Sequence, residues 1–116
     1  MAFLCRRSVA EKNKYPIMAK FVAYDVCGVE PRLFGKGPAV AIPRVLKKAG
    51  ITTKDVDVYE INEAFANVTM YAIDKLGLDP KKVNPNGGAI ALGHPLACTG
   101  ARMLASIMSE LARTKK

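Results

Sequence analysis

Two segments of the chain carry the hydrophobic pattern that is typical of strands. Residues 17–27 are β-branched and aromatic with partial alternation, and residues 55–61 alternate well between apolar and polar positions. Loops should separate these strands from the elements around them. Residues 28–37 contain a proline and three glycines, and residues 79–94 are rich in Pro, Asn and Gly.

Helical spacing of apolar residues predicts four further elements. They cover residues 2–13, residues 38–49, residues 62–76 and the chain from Pro95 onward. Pro38 is suited to a first helical turn, and Gly50 and Gly77 are suited to end helices. Pro43 should kink the second helix. The apolar faces expected to turn inward are Ile42, Val45, Leu46 and Ala49; Phe65, Val68, Ala72 and Leu76; and Leu104, Ile107, Met108 and Leu111.

The order helix, strand, helix, strand, helix, loop, helix is typical of an α/β layer with parallel pairing. Two parallel strands alone make a poor sheet, since parallel sheets need several strands and cover on both faces. We therefore interpret residues 1–116 as one partial domain of a larger α/β fold that lacks its last strands.

The net charge of +8 favours anionic partners, but its distribution along the chain argues against nucleic acid. The basic residues are scattered, and no aromatic residues interleave with them as in a single-strand binding surface. Two interpretations stay open: a solvated surface, or local contacts to an anion.

The three cysteines, Cys5, Cys27 and Cys98, show no CxxC spacing and no pattern of metal ligands. An odd number of cysteines without a secretory signal favours a reducing compartment. No apolar stretch approaches the roughly 20 residues of a membrane span, so we expect no membrane partner.

The first candidate site is the segment Glu60-Ile-Asn62-Glu63, where a predicted strand ends and a helix begins. Ligands bind at this end of open α/β sheets, and the Asn62 amide is able to donate to a substrate oxygen or a water. The alternative is structural: asparagine is a good helix N-cap, and Glu63 in a first turn complements the helix dipole.

The second candidate site is the glycine-rich stretch 86–100, which contains the chain's only histidine, His94. We expect His94 at the N-cap of the last helix, where the dipole disfavours a positive imidazole, so that a neutral ring acts as base or donor. A capping or buried structural histidine is the alternative. Cys98 lies four residues further on. It is either a nucleophile, whose thiolate the helix N-terminus would favour, or a small core residue.

The two motifs together resemble the late signature blocks of the thiolase family. The residues that carry this resemblance are INEAFA at 61–66 and NPNGGAIALGHPLACTGAR at 84–102, with support from RRSVAEK at 6–12 and GPAVAIPRVLKKAG at 37–50. The likeness covers about residues 4–112 and leans toward peroxisomal 3-ketoacyl-CoA thiolases. It implies a thiolase-like fold, acyltransferase chemistry in fatty acid β-oxidation, and a peroxisomal location.

The resemblance also implies roles for single residues. His94 matches the family's histidine that activates a nucleophilic cysteine and binds the thioester oxygen. Asn62 matches the asparagine that holds a water in the same oxyanion hole. Gly93 and Phe65 are implied as substrate-binding residues. Coenzyme A is expected as a substrate, with no resident cofactor or metal, and thiolase subunits are expected as partners.

The pattern departs from the family at two points. The motif usually has Leu-Gly after its proline, and here it has Leu96-Ala97. The family's nucleophilic cysteine and its late CxG cysteine have no counterpart here, since Cys98-Thr-Gly lies inside the histidine motif. Covalent catalysis by the chain alone should therefore be severely impaired. The isolated chain should also be aggregation-prone or molten, because a cut sheet leaves unpaired edges.

Overall fold

The computed structural model describes residues 2–115, which contain five α-helices and three short 3₁₀ helices. The α-helices are α1 (Arg7–Lys12), α2 (Gly37–Ala49), α3 (Ala66–Leu76), α4 (Ala89–Leu92) and α5 (Leu96–Thr114). The 3₁₀ helices cover Pro31–Lys36, Thr53–Asp55 and Pro80–Lys82.

The predicted ends of α2 and α3 and the inner face of α2 are confirmed, whereas Phe65 of the face expected for α3 is exposed. Gly50 and Gly77 terminate α2 and α3 with φ of 72° and 60°, left-handed values that glycine adopts without the steric penalty of a Cβ atom. The side chains expected on the inner face of α2 are half-buried, whereas Pro43, Arg44, Lys47 and Lys48 are exposed. Helix α2 is assigned without interruption through Pro43.

A small apolar core forms where α3 packs against the chain on either side of it. Its buried members are Tyr59, Ile61, Ala72, Leu78 and Val83, with Ile42, Val56, Ile73 and Leu76 packed around them. Ala72 is fully buried. This core holds the segment that leads to Asn62 against the segment that leads to residues 86–95.

The two predicted strands form no sheet ladder within residues 2–115. Residues 15–30 carry no regular secondary structure, and residues 55–61 contribute one parallel bridge, between Tyr59 and Val83. That bridge is made by two hydrogen bonds, from Tyr59 N to Lys82 O and from Asn84 N to Tyr59 O. A strand exists only through hydrogen bonds to a neighbour, and the hydrophobic pattern cannot report whether that neighbour is present.

Three predicted boundaries were wrong. The first helix begins at Arg7 rather than residue 2, and the helix expected from Asn62 begins at Ala66. The predicted loop 79–94 contains helix α4 and a 3₁₀ turn, at whose first position Pro80 fixes a helical φ.

Helix α5 is attached to the rest of the chain mainly through polar groups. Its two buried residues are Thr99 and Glu110, whereas Leu104 of its predicted apolar stripe is exposed. The cross-links run from Arg102 to Glu60 and from Glu110 to Asn86. Because polar contacts are directional, they determine the placement of this helix more narrowly than its half-exposed apolar side chains do.

Candidate active site

Asn62 lies in the linker before α3 and does not cap that helix. Phe65 occupies the N-cap position, so the capping interpretation of Asn62 was wrong. The Asn62 side chain instead points to the other conspicuous motif, and its Nδ2 lies 3.3 Å from Nε2 of His94. The structure thus brings the two candidate motifs, 32 residues apart in sequence, into direct side-chain contact.

His94 lies one residue before the position expected for it. Pro95 is the N-cap of α5, so His94 belongs to the turn between α4 and α5. Gly93 precedes it with a φ of 100° and a ψ of 158°, a conformation that side chains disfavour. Gly93 therefore allows the sharp turn that directs the His94 ring back toward Asn62.

The hydrogen bonds around His94 assign its tautomer. The Thr99 hydroxyl lies 3.2 Å from the carbonyl oxygen of Pro95, and a carbonyl only accepts, so the hydroxyl hydrogen is donated there. The same hydroxyl oxygen lies 2.7 Å from Nδ1 of His94 and must accept from it. Nδ1 therefore carries the hydrogen, and in the neutral ring Nε2 keeps a lone pair that faces the Asn62 amide.

Asn84 is a functional candidate that the sequence analysis missed. Its side chain accepts from the backbone N of Ile61 and donates to the backbone O of Ile61, each at 2.8 Å. Nδ2 also donates to Oε1 of Glu63 at 3.1 Å. Asn84 thus holds both neighbours of Asn62, and it does so from a left-handed conformation (φ 47°) that asparagine tolerates well. Its position directly after an apolar residue and before Pro85 was the available signal.

Glu63 links this clamp to helix α4. Its second oxygen, Oε2, accepts from the backbone N of Ile90 at 3.1 Å. A Cβ atom on Gly88 would overlap the Glu63 carboxyl group, so glycine at 88 makes room for it. Glu63 therefore complements the first turn of α4, not the start of α3 as expected.

Glu60 and Arg102 form a buried ion pair beside the His94–Asn62 contact. Arg102 Nη1 donates to Oε2 of Glu60 at 2.8 Å, and the side chains are 20% and 4% exposed. Burial raises the pKa of Glu60 above its usual value, while the neighbouring Arg102 acts in the opposite direction. Glu60 lies two residues before Asn62, and Arg102 lies three residues after Thr99 on α5.

The three cysteines are free thiols and lie apart from this centre. Cys5 and Cys98 are exposed, and the Cys27 thiol lies 3.9 Å from the carbonyl oxygen of Gly37. No hydrogen bond connects a cysteine to His94 within residues 2–115. Phe65, the second residue implied in substrate binding, is exposed and stacks edge-on against Phe34 with ring centroids 5.8 Å apart.

Neither a metal site nor a membrane helix is present in the described part of the chain. No group of three or more His, Cys, Asp or Glu side chains there is arranged to hold a metal ion. None of the helices in the described range is both long and apolar enough to cross a membrane.

Comparisons with known proteins identify the family of this chain. A family model for the thiolase C-terminal domain matches residues 15–116. The chain belongs to the thiolase family. This confirms the predicted family and the α/β fold class of a partial thiolase domain.

The relatives include peroxisomal and mitochondrial 3-ketoacyl-CoA thiolases. The chain is 58% identical over 113 residues to the peroxisomal 3-ketoacyl-CoA thiolase of Yarrowia lipolytica. The aligned region covers 97% of this chain and 27% of the relative. The crystal structure of the dimeric peroxisomal thiolase of Saccharomyces cerevisiae superposes with a TM-score of 0.89 at 54% identity, over 91% of this chain and 27% of that one. The crystal structure of human mitochondrial 3-ketoacyl-CoA thiolase superposes with a TM-score of 0.91 at 44% identity, over 94% of this chain and 28% of that one.

The chain thus spans about a quarter of the length of the relatives that it matches.

Proposed function

We propose that this chain supplies the histidine–asparagine half of a 3-ketoacyl-CoA thiolase active site. The reaction is thiolysis of a 3-ketoacyl-CoA to acetyl-CoA and a shortened acyl-CoA. The observation that carries the proposal is the contact between Asn62 Nδ2 and His94 Nε2 at 3.3 Å, with the His94 tautomer set by Thr99. Membership in the thiolase family and the names of the relatives support it.

The geometry suits acyl transfer for two reasons. In the assigned tautomer, the Nε2 lone pair of His94 is able to accept the proton of a thiol nucleophile, which makes the thiolate. The protonated Nε2 then donates a hydrogen bond to the negatively charged oxygen that develops during attack on the carbonyl. Asn62, held by Asn84 through its two neighbours, adds an amide dipole at the same place.

The nucleophile must come from outside residues 2–115. None of the three thiols in this part of the chain is hydrogen-bonded to His94, and we assign none of them to catalysis. The sulfur groups are therefore contributed by other thiolase segments, in the same polypeptide or in a partner subunit. Coenzyme A enters as substrate without a resident cofactor, and the peroxisomal names of the relatives support a peroxisomal location.

A hybrid enzyme tests this proposal directly. In the Saccharomyces cerevisiae peroxisomal thiolase, the segment that matches this chain at 54% identity is replaced by residues 4–112 of this chain. We expect CoA-dependent cleavage of a 3-ketoacyl-CoA by this hybrid thiolase and no turnover by the isolated chain. An inactive but folded and dimeric hybrid would refute the proposal.

Two substitutions identify the groups involved. His94→Ala in the hybrid thiolase should lower kcat by a factor on the order of 100 to 10,000, the usual contribution of general acid–base catalysis. Cys98→Ser should leave activity unchanged, because the exposed Cys98 thiol has no contact with His94. Turnover by the isolated chain that depends on Cys98 would contradict the assignment of the nucleophile to another segment.

A second candidate function is non-catalytic association with a thiolase subunit. The chain exposes 8566 Å², whereas a compact monomer of this length exposes about 6,200 Å². The excess is comparable to the area that permanent protein interfaces bury. Much of it is contributed by the apolar segment (residues 15–26), whose exposed side chains are Tyr15, Ile17, Met18, Phe21, Val22, Tyr24 and Val26.

The two functions are distinguished by co-expression with a full-length thiolase. Stable co-purification without any change in turnover supports association alone. Catalytic complementation of a thiolase that carries a substituted motif histidine supports the first function.

A further inference from the structure

Two adjacent cross-links join helix α5 and its preceding turn to the segment that carries Asn62. One is the contact between Asn62 and His94, and the other is the ion pair between Glu60 and Arg102. Glu60 and Asn62 are two residues apart in an extended segment, so they point the same way. Thr99, which orients His94, and Arg102 are three residues apart on α5 and share a helix face.

The Glu60–Arg102 pair differs from the other ion pairs with a buried carboxylate because its basic side chain is also largely buried. Asp25 and Glu110 are also buried carboxylates, 3% and 7% exposed. Their Arg and Lys partners are more than half exposed, whereas Arg102 is 20% exposed. A buried pair contributes little net stability because both charges lose water, but it makes one alignment of its two segments far better than others.

No other hydrogen bond of these two side chains shares the task. Glu60 Oε1 and the Nε and Nη2 atoms of Arg102 are buried and have no hydrogen-bond partner within residues 2–115. Near His94 the alignment therefore depends on the bond from Arg102 Nη1 to Glu60 Oε2, whereas the bond between Asn86 and Glu110 holds α5 eight residues further along. The two buried residues of α5 are polar, and the apolar side chains of its predicted stripe are partly buried or exposed.

We propose that Glu60 and Arg102 are positioning residues that set α5 against the Asn62 segment, so that Nε2 of His94 meets the Asn62 amide. This inference rests on the proposed function, because the geometry it protects is that of the proposed oxyanion hole. Glu60 and Arg102 touch neither reacting group. They act by fixing the position of α5 relative to the segment that carries Asn62.

His94 is the only histidine, so its imidazole nitrogens report on this alignment without ambiguity. The experiment uses the full chain labelled with ¹⁵N-histidine, at a concentration where sedimentation shows a monomer. Long-range ¹H–¹⁵N spectra of the unsubstituted chain should show a protonated Nδ1 and an unprotonated Nε2. In Glu60→Gln and Arg102→Lys, we expect the Nε2 shift to move because the contact with the Asn62 amide is lost, whereas Nδ1 stays protonated through its bond to Thr99.

Matched controls separate positioning from general loss of structure. Asp25→Asn removes an equally buried carboxylate from an ion pair away from α5, and Glu110→Gln removes the charge of one on α5 itself while keeping an oxygen that accepts from Asn86. Neither should move the His94 signals.

Three results would overturn the proposal: no tautomer preference in the unsubstituted chain, unchanged His94 signals in either Glu60→Gln or Arg102→Lys, or equal changes in the controls. An inactive hybrid thiolase with these shifts as expected would refute the proposed function and leave the positioning role standing.

Discussion

The sharpest test of the site's architecture is a double substitution at Gly88 and Glu63. The three atoms nearest to a Cβ placed on Gly88 all belong to the Glu63 carboxyl group. The backbone at Gly88 (φ −101°, ψ −161°) is allowed for any residue, so alanine there meets a steric problem and no backbone strain. Gly88→Ala should therefore act only by displacing the Glu63 carboxylate.

The cost follows from the bonds that the carboxylate would lose. Glu63 accepts from Asn84 Nδ2 and from the backbone N of Ile90, both at 3.1 Å. Hydrogen bonds to a charged group contribute about 1.5–3 kcal/mol each. Glu63 is half-buried and regains some water when it moves, so Gly88→Ala should cost about 2–4 kcal/mol. Glu63→Ala should cost about the same, because it removes the same two bonds.

The double variant decides whether this reasoning is right. Once Glu63 is alanine, a methyl group on Gly88 has nothing to displace, and the double variant should be no less stable than Glu63→Ala alone. The assay is urea unfolding of the hybrid thiolase and its three variants, with kcat measured in parallel. Costs of the two single substitutions that add within about 0.5 kcal/mol would refute the argument, since independent sites behave in that way.

Three further predictions concern the histidine, the acid response and the exposed segment. Thr99→Val removes the acceptor of His94 Nδ1, so kcat of the hybrid thiolase should fall on the order of 10- to 100-fold with little change in KM. Thr99→Ser keeps the hydroxyl and should restore kcat. A Thr99→Val variant with full kcat would contradict the tautomer assignment. Hydrogen bonds from Lys48 and a neighbouring arginine lower the pKa of Asp25, so its stabilising effect is present at neutral pH and is lost as pH falls below about 4. Acid titration of the circular dichroism signal should accordingly be shallower for Asp25→Asn, and identical curves count against it. The apolar segment (residues 15–26) should make the isolated chain self-associate with rising concentration in sedimentation velocity; a monomer with a sharp cooperative thermal transition at every concentration would oppose this.

Part of this structure follows from local chemistry and was predictable. The left-handed ends of α2 and α3 at Gly50 and Gly77, and the half-buried face of α2, depend on neighbours within one or two helical turns. The motifs around Asn62 and His94 were recognisable for the same reason, since each is a contiguous run of residues.

The strands depended on partners, and the hydrophobic pattern could not supply them. Residues 17–27 have strand-like side chains but no ladder, and residues 55–61 retain one bridge. The helix expected at Asn62 starts four residues later, because Asn84 and Glu63 hold the preceding segment in a different conformation. These tertiary hydrogen bonds outweigh the local helix propensity of residues 62–65.

The sequence by itself determined the family, the inner face of α2 and the two candidate site residues, Asn62 and His94. Only the tertiary structure decided that Asn62 faces His94, that Thr99 assigns the tautomer and that Asn84 clamps both neighbours of Asn62. The physical reason is range. Helix ends and amphipathic faces are set by residues a few positions apart, whereas a hydrogen bond between side chains 32 positions apart exists only after the core has placed both segments.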